Sequence, residues 1–374
     1  MRDTAQEKGQ LLPASGDLGE LERPALEEVL AAGGYERFRA RQIFEWIFRR
    51  GITSFEEMTN LPRALRARLA DDFTLTTPAL VAREKSIDGT EKFLLRLADG
   101  RQIESVFIPD TPAMTFCLST EVGCAMACRF CLTGRMGLVR NLTAGEIVGQ
   151  ARVLASALGL AATPFNVVLM GMGEPLHNYD ETLKALRILA DKHGFGLSPR
   201  RITLSTVGLL PALEQLAREP IMPNLAISLH APTDAQREAL VPLNKKYGIA
   251  DIIAACTRFP LKKRSRITFE YVLLAGVNDA PEDARQLARL LARVKAKVNL
   301  IPLNAAAGIP FERPSDAAID RFARILADRD VRVSVRKSRG RDIRAACGQL
   351  IVEGQRPSPA QRLATTAFGS GGTG

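Results

Sequence analysis

The stretch Gly123-Cys124-Ala125-Met126-Ala127-Cys128-Arg129-Phe130-Cys131 gathers three of the chain's six cysteines into one CxxxCxxC run. Three thiolates at this spacing can wrap three corners of a [4Fe–4S] cube and leave one iron without a protein ligand. An open coordination position marks a catalytic metal centre rather than a structural one. The other reading is a zinc site completed by Cys117, although structural zinc usually takes two short Cys/His hooks and no such pair is present. The run follows an apolar, β-type segment, MTFCLST at 114–120. It therefore belongs to the loop at that strand's carboxyl end.

From residue 114 onward strands and helices alternate. The expected strands are 114–120, 164–171, 201–206, 224–230, 267–274, 297–303 and 331–337. Helical patterns lie between most of them, as at 143–158, 179–193 and 281–295. Such alternation implies parallel strands joined by crossover helices. About six units are too few for a closed eight-fold barrel and suit a partial (β/α) barrel, with a doubly wound open sheet as the alternative. Either fold places its active site at the carboxyl ends of the strands. Before this unit, two Asp-Gly turns, Asp88-Gly89 and Asp99-Gly100, divide residues 79–110 into a three-stranded meander. Residues 21–75 read as a helical module, with Pro24 opening one helix, Gly33-Gly34 closing it, and a second helix over Phe38–Arg50. That second helix is apolar on one side and carries Arg39, Arg41, Arg49 and Arg50 on the other. Ser54 and Glu57 have the spacing of a capping box. The divisions expected are a disordered leader at 1–20, the helical module at 21–75, the meander at 79–110, the α/β unit at 111–350 and a disordered tail at 351–374.

The chain has 374 residues, 46% of them apolar, enough for a sizeable core. No apolar run reaches the ~18 uncharged residues of a membrane-spanning helix, and the first residues lack a secretory core. These features predict a cytoplasmic protein with no membrane partner. Cytoplasmic thiols stay reduced, so clustered cysteines there suggest metal or redox catalysis. A net charge of +10 favours a polyanionic partner. An aromatic content of 6% argues against a broad base-stacking platform.

The CxxxCxxC run after a first barrel strand resembles the radical S-adenosylmethionine superfamily, as does Gly171-Met172-Gly173-Glu174-Pro175 at the end of the next strand. That resemblance implies that Cys124, Cys128 and Cys131 hold the cluster, and that Gly173 and Glu174 receive the cofactor's amino group. Cys117 on the first strand and Cys347 in RGRDIRAACGQL narrow the resemblance further. With QIESV, LST, AISLHAP, VPLNKKY and IPLN, they resemble the RNA adenine-C2 methyltransferases, the RlmN family, from about Arg23 to Leu350. In that family the resemblance implies Cys347 as the methyl-carrying thioether, Cys117 as its partner in a transient disulfide, and Glu104 as the proton acceptor. It also implies S-adenosylmethionine contacts from Ser205, Ser228, Leu229, His230 and Asn304, and two S-adenosylmethionine molecules per turnover. The partners implied are 23S rRNA, tRNA and a reductase such as flavodoxin, with the protein a monomer.

A basic rim is expected beside Cys347, built from Arg332, Arg336, Lys337, Arg339, Arg341 and Arg344 with Lys262, Lys263, Arg264 and Arg266. Gly340 and Gly348 would let the Cys347 loop move between two reaction partners. His177 and His193 carry no context that singles them out, and Cys256 reads as a buried core thiol. Methylation of carbon 8 of the same adenine would use the same cysteines. A glycyl-radical activase would need the cluster run but neither Cys117 nor Cys347.

Overall fold

Pro24, which cannot donate a backbone hydrogen bond, sits where a helix needs no donor and opens α1 (Arg23–Ala32). The computed structural model describes residues 16–111, 113–160 and 163–354. α2 (Phe38–Phe44) runs directly into a π-helical turn at Glu45–Arg49, so the expected second helix is one rod with a widened end. The Ser54/Glu57 capping box is present, but it closes a single 3-10 turn, Phe55–Glu57. The next helix, α3 (Arg63–Asp72), begins only beyond Pro62. The arginines of the second helix are largely engaged: Arg39 pairs with Glu36, Arg41 with Glu45, and Arg50 stacks on Trp46.

The meander forms as read, with β1 (Ala79–Lys85), β2 (Glu91–Arg96) and β3 (Gln102–Thr111) pairing antiparallel. It is not a separate layer. β3 also pairs antiparallel with the first barrel strand, β4 (Ala113–Cys117), so meander and barrel share one ten-stranded sheet. After β4 comes a small ladder that periodicity did not disclose: β5 (Glu121–Gly123) pairs with β6 (Leu138–Asn141) across the short helix α4 (Leu132–Met136). Strands this short carry no detectable alternation.

The crossovers then follow in order. α5 (Ala144–Ala157) leads to β7 (Asn166–Leu169), α6 (Tyr179–Ala190) to β8 (Ile202–Thr206), and α7 (Leu210–Leu216) to β9 (Asn224–Ser228). α8 (Asp234–Leu240) and α9 (Ile249–Arg258) lead to β10 (Ile267–Leu273). α10 (Pro281–Leu291) leads to β11 (Ala296–Pro302), and α11 (Asp316–Ala327) to β12 (Val333–Val335). The sheet order β4-β7-β8-β9-β10-β11-β12 follows the chain, and every pair is parallel. A doubly wound sheet reverses direction at its centre. This one never does, so the fold is a partial (β/α) barrel of six crossovers.

Two expected boundaries move. Residues 16–20 belong to the fold: Asp17 caps a 3-10 turn, and Leu18 is fully buried in the same core as the barrel strands. At the other end, Val352 is buried and the Ile351 amide donates to Glu104. The rest of the expected leader and tail, 1–15 and 355–374, lies outside the described residues. Leu18, Phe44, Phe48 and the barrel strands share one continuous core, which fixes the helical module against the barrel.

Gly123 ends β5 one residue before Cys124 and has φ +81°, and a Cβ there would lie 1.9 Å from the Gly137 carbonyl oxygen. A side chain at positive φ costs about 1–2 kcal/mol even in open space. Gly123→Ala should therefore detach the cysteine loop from β6 while leaving the barrel folded. Bound iron should fall at least several-fold with the far-UV circular dichroism unchanged. Full iron content would show that this clamp is dispensable.

Candidate active site

Three elements fix the cysteine loop. The Cys124 amide donates to the Gly137 carbonyl, the Arg129 amide to Leu240, and the Cys131 amide to the Cys128 carbonyl. Gly134 packs so closely on Cys128 that a Cβ would come within 2.9 Å of its backbone. Ala127 takes φ +51°, turning the chain between the first two cysteines. Cys124, Cys128 and Cys131 thereby line one cavity of roughly 920 Å³ with Gly173, Glu174 and Ser205.

Among the described residues, no three His, Cys, Asp or Glu side chains converge closely enough to hold a single metal ion. Three sulfur donors lining one cavity are a donor set that fits three corners of a [4Fe–4S] cluster. Cys117, the proposed fourth zinc ligand, faces a different cavity. Burial, with the neighbouring Glu121 and Cys128, drives the Cys124 thiol far above its ordinary range, and burial beside Cys131 does the same to Cys128. Becoming thiolates here requires a strongly bound cation, and soft sulfur donors suit iron.

The strand ends supply the rest of this cavity. Glu174, after β7, is buried; its carboxylate accepts from the Leu176 and Val207 amides, tying the end of β7 to that of β8. Burial lifts it to about 7 against those hydrogen bonds. The carboxylate expected to meet a cofactor ammonium is thus already a structural clasp, which gives its neighbouring backbone a fixed shape. Ser205 and Ser228 lie side by side, their hydroxyls 3.5 Å apart. His230 has φ +63°, its Nδ1 accepts from the Val272 amide, and its ring meets Phe130 edge-on. Burial pushes its imidazole down to about 3. Asn304 lines the cavity and donates to the Cys347 carbonyl at 3.2 Å. Leu229 is the exception among the expected contacts: its side chain is fully buried in the core and does not line the cavity.

An adjoining cavity of roughly 630 Å³ contains Cys117, Cys131, Arg336 and Cys347. Both lone cysteines are free thiols in this structure. Cys117 is buried, and desolvation with the nearby Cys347 raises its thiol to about 12. Arg336 stands in both cavities, half-buried, and its pKa is raised by Cys347 and, against desolvation, by Glu270. The segment bearing Cys347 is docked on both sides. Asp342 receives the Ser86 hydroxyl and the Ile87 amide, Asp88 receives the Gly340 amide, and Leu132 donates to the Gly348 carbonyl. Gly340 and Gly348 both take positive φ, at +63° and +81°. Glu104 is not a solvent-facing strand residue: it is buried, 3.1 Å from the Lys92 ammonium.

The expected basic rim divides. Lys262, Lys263, Arg264 and Arg266 lie in the loop before β10, and Arg332 lies before β12. All five are at the amino ends of the parallel strands, opposite the site, because a run of charges in sequence carries no information on which end of a sheet it occupies. Arg336 and Arg339 line the Cys347 cavity, while Lys337, Arg341 and Arg344 share the same segment and Arg344 pairs with Glu353.

Four site residues escaped the sequence reading. Arg237 is fully buried, donating to the carbonyls of Val207, Ser228 and Leu229 and to Asn244. Asn278 receives the Leu274 amide and donates to the His230 and Val272 carbonyls. Glu121, fully buried, holds His177 at 2.6 Å and receives the Glu174 amide. Lys92 is the fourth. Arg237, between AISLHAP and VPLNKKY, was the most accessible to sequence: a lone basic residue facing the inner side of a short helix.

Comparison with known proteins places the chain among relatives. A model of the radical SAM superfamily matches residues 118–291, and one of the ribosomal RNA large subunit methyltransferase N-terminal domain matches residues 16–75. The chain is 48% identical to the dual-specificity RNA methyltransferase RlmN of Anaeromyxobacter dehalogenans, over 96% of this chain and 98% of that one. It is 50% identical to the protein of the same name in Geobacter sulfurreducens, over 89% of this chain and 91% of the other. A crystal structure of a radical SAM methyltransferase from Sphaerobacter thermophilus superposes with a TM-score of 0.86 at 49% identity, covering 89% of this chain and 98% of that one.

The depressed His230 makes a test of the site's geometry. Its folded value lies below the ordinary one, so the unfolded chain binds the extra proton as pH falls from about 6.5 toward 3. Stability from this residue is thus full at neutral pH and is lost through that window. By NMR its imidazole should stay neutral at pH 5, while His177, raised by its hydrogen bond to Glu121, titrates higher than an ordinary histidine. A His230 resonance titrating near 6.5 would contradict the buried, amide-accepting ring.

Proposed function

The chain belongs to the dual-specificity RNA methyltransferase RlmN family, and from that footing we propose that it methylates carbon 2 of an adenine in 23S rRNA and of an adenine in tRNA. The observation that carries this reading is the placement of Cys117 and Cys347 on one cavity, beside the one lined by Cys124, Cys128 and Cys131. Carbon 2 of adenine lies between two ring nitrogens and has no lone pair with which to attack a methyl sulfonium. A radical SAM enzyme is suited to that carbon. A glycyl-radical activase would have no use for the two extra thiols.

When bound, a [4Fe–4S] cluster and S-adenosylmethionine supply the methyl group and the carbon radical. Cys124, Cys128 and Cys131 would hold the cluster. The Gly173 backbone, Ser205, Ser228, His230 and Asn304 would border the cofactor, with Arg336 the cation available to its carboxylate or to a thiolate. The two roles would call for two S-adenosylmethionine molecules per turnover and an electron from a flavodoxin-like reductase. Cys347 carries the methyl as a thioether and, once that carbon has bonded to the base, tethers protein to RNA. Glu104 takes the carbon-2 proton. The odd electron of the adduct returns to the one-electron donor that supplied it. The Cys117 thiol then gives up its proton and its sulfur bonds to the Cys347 sulfur as the sulfur–carbon bond breaks. The freed carbon keeps that bond's electron pair and takes up a proton, releasing methylated RNA and leaving a disulfide. Thiol exchange in a reducing cytoplasm restores both thiols. Lys337, Arg339, Arg341 and Arg344, with the 21–75 module, would meet the RNA phosphates.

The two thiols should separate by role. Cys117→Ala should accumulate a covalent protein–RNA adduct, seen as a nuclease-sensitive shift on a denaturing gel. Cys347→Ala should give no adduct and no methylated RNA. Normal release of methylated RNA by Cys117→Ala would remove the two-cysteine mechanism.

A further inference from the structure

Three strands of the meander carry a row of alternating charge on one face. Glu84 on β1 lies 3.4 Å from the Lys92 ammonium on β2, and Lys92 lies 3.1 Å from Oε1 of Glu104 on β3. The register explains the contact. Lys92 stands opposite Val106, which makes Glu104 its diagonal neighbour on the same face. Glu84 is half exposed, whereas Lys92 and Glu104 are buried at 9% and 6% side-chain exposure. The same row continues into the cavity of Cys117 and Cys347 through Val106 and Ile108.

The second oxygen of Glu104 is also occupied. Oε2 accepts from the Ile351 amide at 2.9 Å, four residues beyond Cys347. The main chain of Glu104 is fixed separately, its carbonyl receiving the Ser119 hydroxyl and its amide facing the Met172 sulfur. Each carboxylate oxygen thus already accepts one hydrogen bond. Release of the Ile351 amide would free Oε2 alone, because Lys92 belongs to the rigid sheet.

We propose that Lys92 is a positioning residue for Glu104: it anchors one carboxylate oxygen so that the other is presented to the base when the Ile351 amide lets it go. This rests on the reading of Glu104 as proton acceptor. In that step the carbon-2 proton passes to Glu104 Oε2, and the electron pair of the broken C–H bond stays with the ring. The carboxylate must be ionised beforehand. Burial opposes ionisation, and the nearby Glu84 opposes it too; Lys92 and the Ile351 amide favour it. With the amide gone, Lys92 is the remaining counterweight.

The test uses the full-length, cluster-loaded enzyme and an RNA stem-loop substrate, following the decay of the protein–RNA adduct against pH. Lys92→Met should let the adduct accumulate, and its acidic limb should move up by about one to three pH units, the range of a lost neighbouring cation. Release should recover at high pH. Lys92→Arg should keep the wild-type limb. An unshifted limb in Lys92→Met with full iron content overturns the proposal. If Lys92→Met does not retain iron, Lys92→Gln is read the same way. Loss of iron from both neutral variants would make Lys92 a structural support and would also overturn it. Glu104→Gln should accumulate adduct at every pH; normal release by that variant defeats the reading of Glu104 itself, whatever Lys92 does.

Discussion

Three desolvated thiols around one space are the constraint on which the rest of the structure depends. In an apolar cavity each thiol resists ionisation, and each ionised neighbour makes the next harder. Cys124 and Cys128 show both effects. Such a loop needs a backbone that is held without help from the sulfurs. The β5/β6 ladder does this on one side. The Arg129 amide on Leu240 and the Leu132 amide on Gly348 do it on the other. The loop's course is thus set by backbone contacts that do not involve the sulfurs.

The barrel's chain-ordered parallel sheet makes such holding possible. Every crossover returns the chain to the same end, so the loops after β4, β7, β8, β9 and β11 face one another. A set of buried polar residues then fastens those loops together. Arg237 gathers the ends of β8 and β9, Asn278 joins β9 to β10, and Glu174 joins β7 to β8. Each of these groups is satisfied by several backbone partners, which offsets the cost of burying it. Removing one would leave unpaired carbonyls or amides inside the site, so their influence exceeds that of a single hydrogen bond.

Much of this was legible in the sequence, and the boundary has physical reasons. All seven parallel strands and the three meander strands follow from apolar runs bounded by turns, and the two Asp-Gly pairs sit at the observed hairpins. The CxxxCxxC spacing is local, and the three cysteines it names line one cavity. Contacts between residues far apart in the chain were not legible. Lys92 with Glu104, Glu121 with His177, and Asp342 with Ser86 each need the fold to bring them together. The placement of Lys262 and Lys263 failed for the same reason. Their charge was plain, but only topology shows that they precede β10 and face away from Cys347. The Leu229 side chain is buried in the core between the lining residues Ser228 and His230.

The central claim is that the methyl group reaches the RNA through the Cys347 sulfur, in the cavity shared with Cys117. Enzyme whose Cys347 carries a trideuterated methyl can be given unlabelled S-adenosylmethionine and RNA for a single turnover. Mass spectrometry of the nucleosides should then find 2-methyladenosine whose methyl group has kept all but one of its deuteriums. A wholly unlabelled methyl, a fully deuterated one, or a methyl on carbon 8 would contradict the account.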